Sequence, residues 1–160
     1  MKLRKYEPND CSELAELFYN TVHIINATDY SKTQLNAWAI GTINMSDWDK
    51  SFSVHNTVVA EIEDIIVGFG DMDDSGYLDR LYVHSNYQRK GIATAILNEL
   101  EQQAFVDGIS HFTTHASITA IPFFKQQGYQ IVRENKVVRS GVELTNFIME
   151  KIIVKVSLFI

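Results

Sequence analysis

From Tyr77 to Thr94 the chain reads Tyr-Leu-Asp-Arg-Leu-Tyr-Val-His-Ser-Asn-Tyr-Gln-Arg-Lys-Gly-Ile-Ala-Thr, the stretch with the clearest chemical use. Tyr77, Leu78, Leu81, Tyr82 and Val83 have strand composition, whereas Ile92, Ile96, Leu97, Leu100 and Ala104 recur at helical spacing. A strand therefore passes through a polar turn into a helix. The first backbone N–H groups of a helix lack intrahelical partners and the dipole is positive there, so the turn reads as a cradle for a phosphate. Gly91, without a Cβ, lets such an anion approach the backbone closely.

Other groupings carry less. Asp71, Asp73, Ser75 and Gly76 imitate the start of a calcium loop, but Tyr82 stands where a bidentate glutamate is needed and strands flank the turn, so a solvated hairpin is expected. His111 and His115 are spaced to hold zinc on a helix. In the strand expected there, at roughly 3.3 Å per residue, their rings lie more than about 10 Å apart, and no third ligand is evident, so no metal is expected. Cys11, the sole cysteine, cannot form an internal disulfide; beside Asp10 and with no base nearby, it reads as structural rather than nucleophilic.

The elements that must position these residues follow from periodicity. Residues 3–6 suit a strand. Asp10-Cys11-Ser12-Glu13 reads as a capping box opening a helix with Leu14, Leu17, Phe18, Val22 and Ile25 on one face, and Ser31-Lys32-Thr33-Gln34 as a second box before Leu35 and Trp38. Residues 57–61, 65–70 and the Tyr77 strand form a meander across turns at Glu63-Asp64 and Asp71 to Gly76. Gly108 closes the cradle helix, 111–116 alternate as a strand, and 117–127 read as a helix with Pro122 in its first turns and Gly128 at its end. A hairpin of 129–138 and 142–154 turns at Ser140-Gly141. The apolar tail Ser157-Leu158-Phe159-Ile160 either pairs with a sheet edge or is poorly ordered. Spacing alone gives a mixed α/β chain.

The 160 residues fit one domain, 1–160, and 46% hydrophobic with 21% charged residues is ordinary globular composition. A net charge of −6 argues against a nucleic-acid or anionic-membrane surface and suits an amine substrate. Met1 to Tyr6 has charge but no apolar run behind it, so neither a signal peptide nor a membrane span is expected and the cytoplasm is the expected location.

Gln88-Arg89-Lys90-Gly91-Ile92-Ala93 resembles the Gln/Arg-x-x-Gly-x-Gly/Ala loop of the GNAT-type N-acetyltransferase superfamily, which grips the pyrophosphate of acetyl-CoA. Ala120-Ile121-Pro122-Phe123-Phe124-Lys125-Gln126-Gln127-Gly128-Tyr129 resembles that family's later Ala-x-x-Phe-Tyr-x-x-x-Gly-Phe segment. The resemblance covers nearly the whole chain. It implies an α/β fold of the α+β type: a mixed, mostly antiparallel sheet of about six to seven strands flanked by about four helices. A V-shaped opening would split the sheet between the Tyr77 and His111 strands. It implies an enzyme moving an acetyl group from acetyl-CoA, a co-substrate, directly to a primary amine of a small molecule or peptide, without a metal. The alternatives are a non-catalytic acyl-CoA-binding or sensing domain and an interaction domain that has lost the cofactor.

By the same resemblance, the backbone of Leu81, Tyr82 and Val83 holds the pantetheine arm. Gln88, Arg89, Lys90, Gly91, Ile92, Ala93 and Thr94 take the pyrophosphate, with the Arg89 and Lys90 side chains either near it or simply solvated. Ser117 stands where an asparagine commonly contacts the cofactor, and Phe124 where many members carry a tyrosine that protonates the leaving thiolate; Tyr82, Tyr129 or water would then replace it. An alkylammonium with a pKa of about 10.4 must lose a proton before it attacks. Asp79, which simple alternation puts on the face of Leu81 and Val83, is the expected base unless it pairs nearby or points to solvent, and His115 is a second candidate. The early helical pair would wall the acceptor site, giving His23, Asp29, Tyr30, Trp38 and Trp48 as substrate contacts, or else core aromatics. The apolar C-terminal strand allows a homodimer.

Overall fold

A computed structural model describes residues 1–154 of the chain. The expected alternations become seven strands and the helical spacings five α-helices among the described residues, in the order β1 (Lys2–Lys5), α1 (Cys11–Ile25), α2 (Lys32–Trp38), α3 (Met45–Val54), β2 (Asn56–Ile62), β3 (Ile65–Met72), β4 (Tyr77–Val83), α4 (Ile92–Val106), β5 (His111–Ser117), α5 (Ile121–Gln126), β6 (Gln130–Arg139) and β7 (Val142–Ile152). The tail expectation for residues 157–160 lies outside the described residues. No described helix is long and apolar enough to cross a membrane.

Local chemistry sets the helix starts. At α2 the expected box forms: the Ser31 hydroxyl accepts from the Gln34 amide at 3.2 Å, and the Gln34 side chain accepts from the Ser31 amide at 2.9 Å. At α1 the expected box does not form. Asp10 is buried, its carboxylate taking the Glu7 amide at 2.8 Å and both arms of Arg4 at 2.8 Å, so it anchors a preceding 3-10 turn instead of capping α1. The third early helix, α3, was not expected from periodicity because only Phe52 of its residues is buried; the Asn44 side chain caps it by accepting the Asp47 amide at 3.1 Å.

The sheet runs β1-β2-β3-β4-β5-β7-β6, antiparallel except for β4 and β5. Alternation splits β2 between two cores: Val58 and Ala60 face α4 with Val67, Leu78, Ile96 and Leu100, while Val59 faces α1 and α3 with Phe18, Phe52 and Phe69. The parallel pair holds only at Tyr77↔Thr113 and Leu78↔Thr114, after which the strands diverge. Gly76 makes that junction possible, since a Cβ there would stand 2.5 Å from the His111 carbonyl oxygen. The V-shaped opening thus lies between β4 and β5, as expected.

Candidate active site

One side of the opening is made of backbone. The His84 amide donates to the Val67 carbonyl at 2.8 Å, and the register pairs Phe69 with Tyr82 and Gly68 with Val83. Ladder bonds in an antiparallel pair fall on alternate residues, so the polar groups of Leu81 and Val83 face away from β3, into the opening. The Val83 carbonyl is already occupied, by the Thr21 hydroxyl at 3.0 Å and the Gln88 side chain at 2.7 Å. Gln88 therefore ties the turn to the end of β4 instead of reaching outward.

Beyond it, Arg89 and Gly91 take positive φ, at 60° and 78°, and Gly91 is the N-cap of α4. Ala95 is the first residue whose amide finds a helical carbonyl, that of Gly91 at 3.0 Å, which leaves the amides of Ile92, Ala93 and Thr94 at the open end. A Cβ built on Gly91 meets nothing within 4 Å, so the space beside the N-cap is open. The Ile92 side chain is in the core, the Thr94 hydroxyl accepts from Gln127 at 3.3 Å, and Arg89 and Lys90 are exposed, Lys90 resting on the Tyr87 ring at 5.3 Å. Main-chain groups, not these side chains, would hold an anion.

The other side is a cavity of about 470 Å³ walled by Tyr30, Trp38, Trp48, Tyr77, Asp79 and Tyr82, among others. The Tyr30 hydroxyl donates to the Thr145 carbonyl at 2.6 Å and accepts the Ile118 amide at 3.0 Å, fixing the early helices to β7. Asp79 does not share the face of Leu81 and Val83. The register slips between Asp71↔Arg80 and Met72↔Leu78, leaving Asp79 as the extra residue of a β-bulge, and the bulge turns its carboxylate into the cavity. Its side chain is 39% exposed and lies 3.6 Å from Arg80 Nη2. Burial and the nearby Asp71 charge raise its pKa above the ordinary carboxylate value.

Arg80 holds that arrangement. Its guanidinium makes a two-pronged pair with the fully buried Asp71, at 2.9 and 2.7 Å, donates to the Ser51 hydroxyl at 2.6 Å and lies over the Phe52 and Trp48 rings at 4.3 and 4.9 Å. His55 completes the cluster, its Nδ1 2.7 Å from Asp71, which raises the imidazole pKa. His55, Asp71 and Asp79 bring ligand-type atoms within 4.8 Å of one another, but the Arg80 guanidinium already binds Asp71 and approaches Asp79, so the cluster is an ion-pair network.

The remaining expected residues divide. His115 lines the cavity, packs edge-on to Tyr77 at 5.3 Å, and is kept below its ordinary pKa by burial and by Arg133. Ser117 also lines it, although its hydroxyl already caps the turn by accepting the Ala120 amide at 3.2 Å. His23 lies outside the cavity wall, its Nε2 2.9 Å from the Ala39 carbonyl, and Asp29 is bound to Thr119 at 2.7 Å. Phe124, expected at the cofactor, is 5% exposed in the core against Tyr129. The Tyr129 hydroxyl donates to Glu101 at 2.7 Å, a buried pair that removes it as a proton donor to the opening. Tyr82 keeps that potential, its pKa pushed up by burial; Tyr77, pushed up to about 12, shares it. Sequence reasoning missed Tyr77, His55, Asp71 and Arg80 as site residues. Asp71 and Arg80 are offset unequally about the Asp73 to Gly76 turn, so hairpin symmetry does not pair them and only the shifted register does.

Residues 26–151 match the family described as Acetyltransferase (GNAT) domain. The uncharacterized N-acetyltransferase YafP of Escherichia coli (strain K12) is 35% identical over 149 residues, covering 93% of this chain and 94% of the relative. Among solved structures, a GCN5-related N-acetyltransferase from Rhodopseudomonas palustris, described as aminotransferase, class-II, superposes with a TM-score of 0.92 at 31% identity over 95% of both chains. The PaiA N-acetyltransferase of Thermoplasma acidophilum in complex with coenzyme A gives 0.78 at 20% identity, over 95% of this chain and 98% of that one.

Proposed function

Because the chain belongs to the GNAT acetyltransferase family, we propose that it moves an acetyl group from acetyl-CoA to a primary amine of a small molecule or peptide. The observation that carries this reading is one opening with two fittings: helix-start amides without helical partners beside the open Gly91 N-cap on one side, and a carboxylate aimed into an aromatic cavity on the other. The donor fits the chain as folded. The amides of Ile92 to Thr94 would take its pyrophosphate, and the Leu81 backbone with the Val83 amide its pantetheine arm. Bound there, acetyl-CoA supplies an activated acyl carbon.

Asp79 receives the proton that an alkylammonium, with a pKa of about 10.4, must lose before its nitrogen can attack. Arg80, itself fixed by Asp71 and two aromatic faces, orients the Asp79 carboxylate. Tyr77 and Tyr82 keep their protons at neutral pH and can donate one to the leaving sulfur, the task for which Phe124 has no hydroxyl.

Coenzyme A release in the presence of a panel of primary amines tests the reading. Asp79→Asn should lower kcat by about a hundredfold or more and abolish the acid limb of the pH profile, with acetyl-CoA affinity intact. That limb should lie above the ordinary carboxylate range, since the base form is lost as pH falls through a raised pKa. Binding of acetyl-CoA without turnover of any amine would overturn the reading in favour of a binding or sensing domain.

A further inference from the structure

We propose that the acceptor amine also carries a carboxylate, and that Arg139 seats it. This rests on the acetyl-transfer reading and names the substrate class of the same site. The charged groups in the cavity wall are Asp47, Asp79, Arg80, His115 and Arg139. Arg80 is consumed by Asp71, and His115, with its pKa lowered, is uncharged at neutral pH. What remains is divided by wall: carboxylates on the α3 and β4 side, and the Arg139 guanidinium on the β6–β7 side.

Position and lack of a partner single out Arg139. Residues two apart share a strand face, so Arg133, Asn135, Val137 and Arg139 form one row of β6, and both Val137 and Arg139 line the cavity. The other cations of this hairpin are engaged: Lys136 lies 3.4 Å from Glu143, Arg133 donates to the Glu134 carbonyl at 3.4 Å, and Lys151 donates to Glu101 at 2.7 Å. No acceptor binds the Arg139 side chain among the described residues. Tyr77 and Tyr82 line the same cavity as Arg139 and Asp79.

The acceptor that matches is a zwitterion with an apolar middle. Its ammonium faces Asp79, its body lies along Trp38 and Trp48, and its carboxylate meets the fork of Arg139. One free guanidinium suits the two oxygens of a carboxylate; a phosphate monoester would find no second unpaired cation in the described wall. A diamine would set its second ammonium against Arg139.

Coenzyme A release by the full chain is measured with three amines of equal length: an ω-amino acid, the alkylamine and the α,ω-diamine. The amino acid should show a kcat/KM about tenfold above the alkylamine, with the diamine lowest. Arg139→Gln should raise KM for the amino acid alone, and Arg139→Glu should turn the preference toward the diamine. Equal turnover of amino acid and alkylamine, or an equal loss on all three in Arg139→Gln, overturns the inference while acetyl transfer stands. The chain's two tryptophans, Trp38 and Trp48, both line the cavity, so intrinsic fluorescence reads its occupancy independently of turnover. Titration with the N-acetylated ω-amino acid should shift the emission of the wild type and not of Arg139→Gln. If no amine is turned over, that shift still upholds the carboxylate seat, whereas its absence removes the seat together with acetyl transfer.

Discussion

The cradle proposed for the donor is one unbroken run from Gln88 to Thr94 that offers main-chain N–H groups, whereas the cavity proposed for the acceptor draws side chains from α1, α2, α3, β4, β5 and the β6–β7 hairpin. The cradle needs only a strand end, two positive-φ positions and a helix start, all within local sequence. The cavity depends on partners far apart in the chain: His55 and Ser51 from α3 and its end, Asp71 from β3, Arg80 from β4. One side should therefore fail when its empty space is filled or its backbone freed, and the other when a buried pair is broken.

The largest effect should fall on the cavity. Asp71→Ala leaves the Arg80 guanidinium without its buried partner and should cost about 3–5 kcal/mol in urea unfolding, while Lys90→Ala at the cradle should stay within about 0.5 kcal/mol. Near-equal losses would erase the contrast. A smaller effect is expected from Gln88→Ala, which frees the cradle from the Val83 carbonyl: acetyl-CoA should bind about fivefold more weakly, for a loss of about 1 kcal/mol, with the amine KM unchanged. A change in amine KM alone would assign Gln88 to the wrong side. The smallest concerns His55→Gln. The folded pKa of His55 is raised by Asp71, so its contribution to stability is fully present below the unfolded value of about 6.5 and fades as pH rises through the folded one. The variant should lose more stability at acid than at alkaline pH; a loss independent of pH would show that the hydrogen bond matters and the charge does not.

The same contrast governs what could be read from the sequence. Strand order up to β4, the Gly91 turn and the Ser31 box were legible because each is set by neighbours in the chain. Asp79, expected as a base on the face of Leu81 and Val83, lies on the other face, since alternation cannot reveal a one-residue bulge. Asp71 looked like part of a solvated acidic turn, yet it is fully buried; only the register that sets it opposite Arg80 shows why. Asp10 misled in the same way, because Arg4 captures the carboxylate expected to cap α1. Trp38, Trp48 and Tyr30, expected as substrate contacts through fold resemblance, line the cavity, while His23, expected with them, packs on Tyr19 outside the cavity wall.

The most direct test is calorimetric titration of acetyl-CoA into the wild type, Gly91→Asp and Gly91→Asn. Both side chains tolerate the left-handed backbone at Gly91 and neither meets protein atoms at its Cβ, so the pair separates charge from shape. The cradle predicts one site per chain in the wild type, binding at least about tenfold weaker in Gly91→Asp, and a smaller loss in Gly91→Asn, because only the carboxylate repels a pyrophosphate at a helix N-terminus. No wild-type binding, or equal affinity in wild type and Gly91→Asp, would contradict it.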